Sequence, residues 1–509
     1  MPRRRLALTL PLLAVTTAAG VLVASGCTAT PDGDDGPAVT TRAPEASVTV
    51  VAEPTPEERA VATSTALFTR SPLVVLAPAD EAASVAEAGE RAETWGVPVL
   101  LAPTRATGDS GAEAVEGAEA LTGELERLGV ERVATIGDVV APEVDGVEVE
   151  PAEEVTEAER PDPADPRADT LLLVAPGEEG SAAASTARAA GADVLEVPGG
   201  GTDLQSPESI DLLHGSTTTR TVLLGSDFAA QADAAWSVSA ARTGVQLPGG
   251  GQRVFDDRRY VALYGAPEAP VLGVLGEQGP EAAARRAAQL TVEYAPVSDR
   301  PVVPMMEIIA TVAAGDAGPD GDYSNELSVD ALLPYVEAAE AAGQYVVLDL
   351  QPGRTDFLTQ AKRYEELLRR PGVGLALDPE WRLAPDQVHL RQIGGVDAAE
   401  VDAVSSWLAD LVQREALPQK MFVLHQFRSS MLRDRSSIDL SRPELATVVH
   451  VDGQGSQPDK QATWNALHDG APEGLHWGWK NFYDEDEPML TPAQTMADVA
   501  PVPDIVTYQ

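Results

Sequence analysis

Short apolar runs alternating with longer amphipathic stretches dominate the chain from Pro72 onward. Leu73 to Pro78 reads as a buried strand, Glu81 to Trp95 as a helix, and Val97 to Pro103 as a second strand. A second helix runs from Ala112 to Leu128 and stops at Gly129, and Val133 to Ile136 is a third strand ending in Gly137-Asp138. The order then recurs roughly 90–100 residues later, with Leu171–Pro176, Ala182–Ala190, Val194–Pro198, Ser209–Leu213 and Thr221–Asp227 in the matching places. Strands separated by helices of this length predict parallel sheets. The pattern therefore predicts two parallel-sheet α/β units, over residues 57–140 and 168–247, joined by an acidic, proline-dotted linker over 141–167. A helix from Ala229 to Thr243 and a turn at Pro248-Gly249-Gly250-Gly251 lead into the second half.

That half, residues 248–509, carries eight strand-like runs: Tyr260–Tyr264, Val302–Ile309, Tyr345–Leu350, Val373–Asp378, Met421–Gln426, Ala446–Val451, Leu475–Lys480 and Asp504–Tyr508. Helical patterns fill most of the gaps, at Pro280–Tyr294, Val329–Ala342, Phe357–Leu368, Ala398–Arg414, Lys460–Leu467 and Pro492–Asp498. Eight strands with intervening helices over ~250 residues predict a (β/α)8 TIM-like barrel. The connection over Arg428–Glu444 is irregular, and the chain ends on the eighth run, so an open or distorted barrel also fits.

The first residues change the setting. Arg3, Arg4 and Arg5 precede an apolar stretch from Leu6 to Val23, and Ala24-Ser25-Gly26-Cys27 follows. This is the form of a secretory leader, and it resembles a bacterial lipoprotein signal over 1–27, in which the cysteine is diacylated and becomes the mature N-terminus. Cys27 is the one cysteine, so no internal disulfide forms. Residues 28–56, rich in Thr, Pro, Ala and Asp, read as a disordered tether. The expectation is an extracytoplasmic protein, lipid-anchored through Cys27 and facing the cell wall. No other stretch approaches the ~20 apolar residues of a membrane span.

Charge narrows the partners. Asp and Glu number 80 against 36 Lys and Arg, a net charge of −44. A nucleic-acid partner needs a basic footprint, and none exists. Arginine outnumbers lysine and alanine is abundant, as in a high-GC genome.

In a barrel of this kind the site forms at the C-terminal ends of the strands. Those ends supply Glu307, Asp349 with Gln351, Asp378 with Glu380, His425 with Gln426, His450 with Asp452, and Trp477, Trp479 and Lys480. Glu277 follows the first strand. Gly374–Trp381, GLALDPEW, is the sharpest stretch: a strand with a small inner face and two carboxylates two residues apart, hence on one side of an extended strand. The candidate catalytic residues are Glu380, Asp378, Asp349 and Glu307. The candidate substrate contacts are Trp381, Trp477, Trp479, Lys480, His425, Gln426, His450, Asp452, Glu277 and Gln351.

Crowded acids separate in pKa and so supply the acid and base of glycoside hydrolysis, with the tryptophans stacking sugars. His425, His450 and Asp452, with Asp349 or Glu307, offer metal-binding groups, but no HxH or HExxH spacing supports them. Neither a metal nor any other cofactor is expected. A non-catalytic carbohydrate cradle would use the same aromatic and polar groups. Arg354, Arg382, Arg428 and Lys480 are placed to neutralise the acids, in which case the cluster is only structural.

The first unit, with VVLAP, WGVPVLLAPT and ELERLGVERVATIGD, resembles the cell wall-binding repeat type 2 family. Gly137-Asp138 replaces the family's Gly-Gly, and the second unit is a degenerate copy. The resemblance implies attachment to wall polymers. Asp378-Pro379-Glu380 resembles the D-x-E strand end of barrel hydrolases that cleave N-acetylated sugars, including muramidases and chitinase-like enzymes. That resemblance implies Glu380 as general acid and Asp378 as the residue that helps the substrate's acetamido group. The C-terminal half as a whole resembles an uncharacterised actinobacterial family that couples wall-binding repeats to a barrel, which implies an envelope role without assigning a reaction. A hydrolase acting on a wall glycan and a surface binding protein without activity both remain open.

Overall fold

The structure is a computed structural model that describes residues 38–102, 111–162, 169–231 and 233–509. The leader and Cys27 lie outside the described residues. Among the described residues no helix is long and apolar enough to cross a membrane.

The N-terminal part contains two four-stranded parallel sheets. In the first, Val99–Ala102, Leu73–Pro78, Arg132–Thr135 and Glu148–Pro151 lie side by side in that order. In the second the order is Val48–Val51, Arg220–Leu224, Thr170–Val174, Asp193–Glu196. Two of these strands correct the expected boundaries. Val48–Val51 belongs to the region expected to be a tether, yet it pairs in parallel with Arg220–Leu224, Val48 opposite Thr221. Its run of β-branched residues suits a strand whatever the composition around it. Thr55 then caps the helix Pro56–Leu67 through a reciprocal bond with Glu58.

Glu148–Pro151 belongs to the expected linker. It is an edge strand, and an edge needs little apolar character. Arg132 on the neighbouring strand holds Glu148 at 3.0 Å and also pairs with Glu150.

Helices Pro56–Leu67, Ala82–Trp95 and Ala182–Ala189 share one apolar core with both sheets. At this junction Thr186 Oγ1 accepts from Val99 N at 2.9 Å and donates to Val99 O at 3.1 Å. Trp236, on the helix Ala234–Arg242, donates its indole N–H to Leu417 O at 2.9 Å and so ties the N-terminal part to the C-terminal half.

The C-terminal half is a closed parallel β-barrel flanked by helices. Its eight strands are Arg259–Gly265, Val302–Ala313, Tyr345–Leu350, Val373–Leu377, Lys420–His425, Leu445–Val451, His476–Asn481 and Ile505–Tyr508. Each pairs in parallel with the next, and the first pairs with both the second and the eighth, which closes the ring. The helix expected over Phe357–Leu368 is divided at Tyr364, and the irregular fifth connection carries two short 3-10 turns and no α-helix.

All eight strands run the same way, so their C-terminal ends share one mouth. Alternation puts every second side chain inside. The lower interior is filled by Tyr260, Met305, Tyr345, Met421, Val448 and Ile505 among others. Gly374 belongs here: a Cβ on it would meet Met421 O at 2.5 Å, so only glycine lets the fourth and fifth strands close over Tyr345. Above this plug the interior turns polar.

Candidate active site

The polar interior has two storeys. The lower one is sealed. His425 sits at its centre, fully buried, with Nε2 bonded to Glu307 Oε1 at 2.7 Å and Nδ1 to Asp452 Oδ2 at 2.8 Å. Both partners are carboxylates, so both ring nitrogens donate and the ring is an imidazolium. Burial opposes that charge, but Asp349, Glu307 and the two hydrogen bonds more than offset it and raise His425 well above the ordinary histidine value. Burial likewise opposes the charge on Glu307. His450 and His425 outweigh it and hold Glu307 below the usual carboxylate range.

His450 packs beside His425, with ring centroids 4.6 Å apart, and its Nε2 lies 3.0 Å from Thr507 Oγ1. A Cβ on Gly478 would meet this ring at 2.7 Å, so the glycine makes room for it. Burial lowers the pKa of His450. Asp349 accepts from Tyr264 O–H at 2.8 Å, while its other oxygen is buried with no hydrogen-bond partner among the described residues. Burial raises Asp349 to about 6 against the pull of His425, and Glu307 adds to the rise.

The upper storey is an open cavity of about 650 Å³. Its walls include Tyr264, Gln351, Asp378, Glu380, Trp381, Asp452 and Lys480. The fourth strand stops at Leu377, and Pro379 opens a single 3-10 turn, Pro379–Trp381. Asp378 accepts from Glu380 N at 3.2 Å and caps that turn. Asp378 thus continues the inward phase of Ala376, whereas Glu380 reaches the same cavity by the turn and not by the strand alternation expected from their spacing. Burial raises Asp378 well above its ordinary value, and Asp349, Asp452 and Glu380 add to the rise. Burial and the negative charge of Asp452 raise Glu380 to about 7, against Lys480, His425 and Arg428.

Arg382 and Arg354 do not neutralise this pair. Arg382 turns away to Glu400 at 2.8 Å and to the carbonyls of Arg354 and Leu383. Arg354 bonds to Gln387 O and lies over the Tyr323 ring. Lys480 Nζ sits 3.4 Å from the centre of the Tyr264 ring.

Of the expected site residues, Asp378, Glu380, Trp381, Asp452, Lys480 and Gln351 line the cavity. Gln351 uses its side-chain oxygen on Ala313 N. Glu307, Asp349, His425 and His450 lie sealed beneath, so Glu307 and Asp349 stand as supports and not as residues in contact with open space.

Four expectations are corrected. Trp477 and Trp479 flank the inward Gly478 and so face outward: Trp477 stacks on His468 at 3.5 Å, and Trp479 packs on Trp464. Gln426 also points out of the barrel and bonds Arg428 O and Arg435. Glu277 pairs with Arg286 on a separate surface groove.

Tyr264 and Thr507 were missed by residue type, although strand parity puts both inside with Ala262 and Ile505. The acidic run Asp484–Glu487 divides. Asp486 is buried and holds Lys460 at 2.8 Å, and Glu485 lines the cavity.

Groups that could gather around a metal ion include Glu307, His425 and His450, or Asp378, His425 and Asp452. Both sets need a nitrogen of His425 that a carboxylate already holds, so an ion could enter either set only by breaking the bond of His425 to Glu307 or to Asp452. The arrangement suits proton transfer instead: a raised carboxyl on the cavity wall above a fixed, charged floor.

The fold and site thus define an acid-lined barrel-mouth cavity carried on two parallel α/β units. No protein-family model matches the chain, and no curated protein does. Among solved structures the chain is distantly similar to Cwp6 from Clostridium difficile, with 12% identity and a TM-score of 0.29. The match covers 80% of this chain and 66% of that one, just under two thirds of its length. A score this low defines neither fold nor function.

Proposed function

We propose that the C-terminal half is a TIM-type (β/α)8 glycoside hydrolase acting on a cell-envelope glycan. The chain is exported through its leader, anchored by acylated Cys27, and held against wall polymer by the two α/β units. The observation that carries this reading is Glu380. It lines the cavity, has no ion-pair partner among the described residues, and is raised to about 7 by burial and Asp452. A carboxyl in that state keeps a large protonated fraction near neutral pH and is protonated below it, ready to donate.

Glu380 gives its proton to the glycosidic oxygen as the C–O bond breaks and the electron pair stays on that oxygen. Water then adds to the sugar carbon and returns a proton to the Glu380 carboxylate. Trp381, tilted against His389 with ring centroids 4.6 Å apart, supplies an apolar wall for a sugar ring.

Incubating the full chain with wall glycan and with N-acetylated oligosaccharides tests the reading. New reducing ends should appear with the wild type and not with Glu380→Gln. Binding without cleavage would assign the cavity to recognition alone. Retention on purified walls that is lost when residues 57–230 are deleted would support the role given to the α/β units.

A further inference from the structure

The carboxylate nearest in character to a partner for Glu380 is neither Asp378 nor Glu307. Asp452 ends the sixth strand, two strands on from the fourth. Glu380 follows the fourth strand on the turn Pro379–Trp381, and both residues line the same cavity, so one ligand there can meet both. Glycoside hydrolysis uses two carboxyl groups that flank the scissile bond.

The two oxygens of Asp452 have different surroundings. Oδ2 accepts from His425 Nδ1 at 2.8 Å. Oδ1 is buried and has no hydrogen-bond partner among the described residues, although the residue lines the cavity. The side chain is only 7% exposed. A buried acceptor left empty is unfavourable unless something else fills it. His425 cannot swing away to relieve it, because Glu307 holds its other nitrogen at 2.7 Å.

We infer that Asp452 is the second catalytic carboxylate of the cavity, ionised on the cavity wall beside Glu380, with His425 clamped between Asp452 and Glu307 as its positioning residue. The inference rests on the hydrolase reading. The negative charge of Asp452 stabilises the positive charge that develops at the sugar carbon while Glu380 protonates the leaving oxygen.

The surrounding charges agree with the two roles. Burial opposes the charge on Asp452, but the hydrogen bond and charge of His425, with Lys480 and His450, hold it below the usual range. Glu380, facing Asp452, Lys480, His425 and Arg428, is pushed the other way. Asp378, buried and capping the turn, is raised as well, so it is not the ionised member. Two neighbouring acids driven apart in this way mark an acid and its anionic partner.

The test uses the full chain with Asp452→Asn, which keeps an acceptor for His425, and Asp452→Glu, which keeps the charge but displaces it. Titration of Glu380 by carbon-13 NMR of glutamate-labelled protein needs no substrate, and Glu380→Gln identifies the signal. In Asp452→Asn the Glu380 midpoint should fall from about 7 toward the ordinary carboxyl value, because a negative neighbour is gone. In Asp452→Glu it should stay raised. On an N-acetylglucosamine oligosaccharide, kcat should fall at least about 100-fold in both variants with KM little changed.

A Glu380 midpoint that does not move in Asp452→Asn overturns the inference, and so does a kcat within about threefold of wild type. If the wild type cleaves nothing, the hydrolase reading fails on its own. The NMR midpoint then decides separately whether Asp452 sets the state of Glu380.

Discussion

Replacing Glu307 with Gln removes a charge from the centre of the barrel while nearly keeping its shape. Glu307 and His425 are 1% and 0% exposed, and their bond is 2.7 Å long. The Gln oxygen still accepts from His425, so the bond itself loses about 1 kcal/mol, the difference between charge-assisted and neutral bonds. The imidazolium also loses a counter-charge, and breaking a buried pair outright costs about 3–5 kcal/mol. Asp452 still faces the other nitrogen at 2.8 Å, which places the expected total at about 2–4 kcal/mol.

The loss carries a pH signature. The folded protein holds Glu307 below its ordinary value of 4.5, because His450 and His425 outweigh burial. The unfolded chain therefore takes up the proton first as pH falls. The stability Glu307 contributes is present above 4.5 and is lost progressively below it. Urea unfolding of wild type and Glu307→Gln, followed by tryptophan fluorescence at about pH 6 and about pH 3, compares the two directly. The gap should be about 2–4 kcal/mol at the higher pH and narrower at the lower. A gap under about 1 kcal/mol near pH 6, or one that stays constant down to pH 3, would refute the charged clamp.

Three further outcomes follow from the packing. Lys460→Met should destabilise the chain by about 3 kcal/mol, because it strands buried Asp486. Amide exchange at Phe482 and Gly455, both bonded to Asp486, should speed up more than exchange in the lower barrel strands. Gly374→Ala should cost about 1–3 kcal/mol through the Met421 carbonyl, read as a drop in thermal midpoint. Trp477→Ala should lower stability yet leave the KM for any cleaved glycan unchanged, because Trp477 stacks on His468 outside the barrel; a raised KM would restore it as a sugar contact.

The barrel was legible because strands buried on both faces read as apolar runs, and helices between them read at a different period. The inward set was legible wherever alternation was applied. Glu307 follows Met305, and Asp378 follows Ala376, in one phase. Residue type alone misleads. Trp477, Trp479 and Lys480 are close in sequence, yet only Lys480 shares the phase of Gly478. Glu148–Pro151 is hidden because an edge strand needs little apolar character, and Val48–Val51 because polar surroundings mask a short β-branched run. Two features were not local at all: Arg382 finds Glu400 and Asp486 finds Lys460 through tertiary contacts. Neighbours in sequence could not show which charges remain unpaired, and that decides whether Glu380 is free.

The central claim is that Glu380 is a working acid. The pH dependence of kcat for the full chain on an N-acetylated oligosaccharide tests it most directly. The protonated form is required, so kcat should hold at low pH and fall as pH rises through about 7. Glu380→Gln should remove the turnover and the descending limb together. Turnover that stays flat across this range, or that survives in Glu380→Gln, would contradict the account.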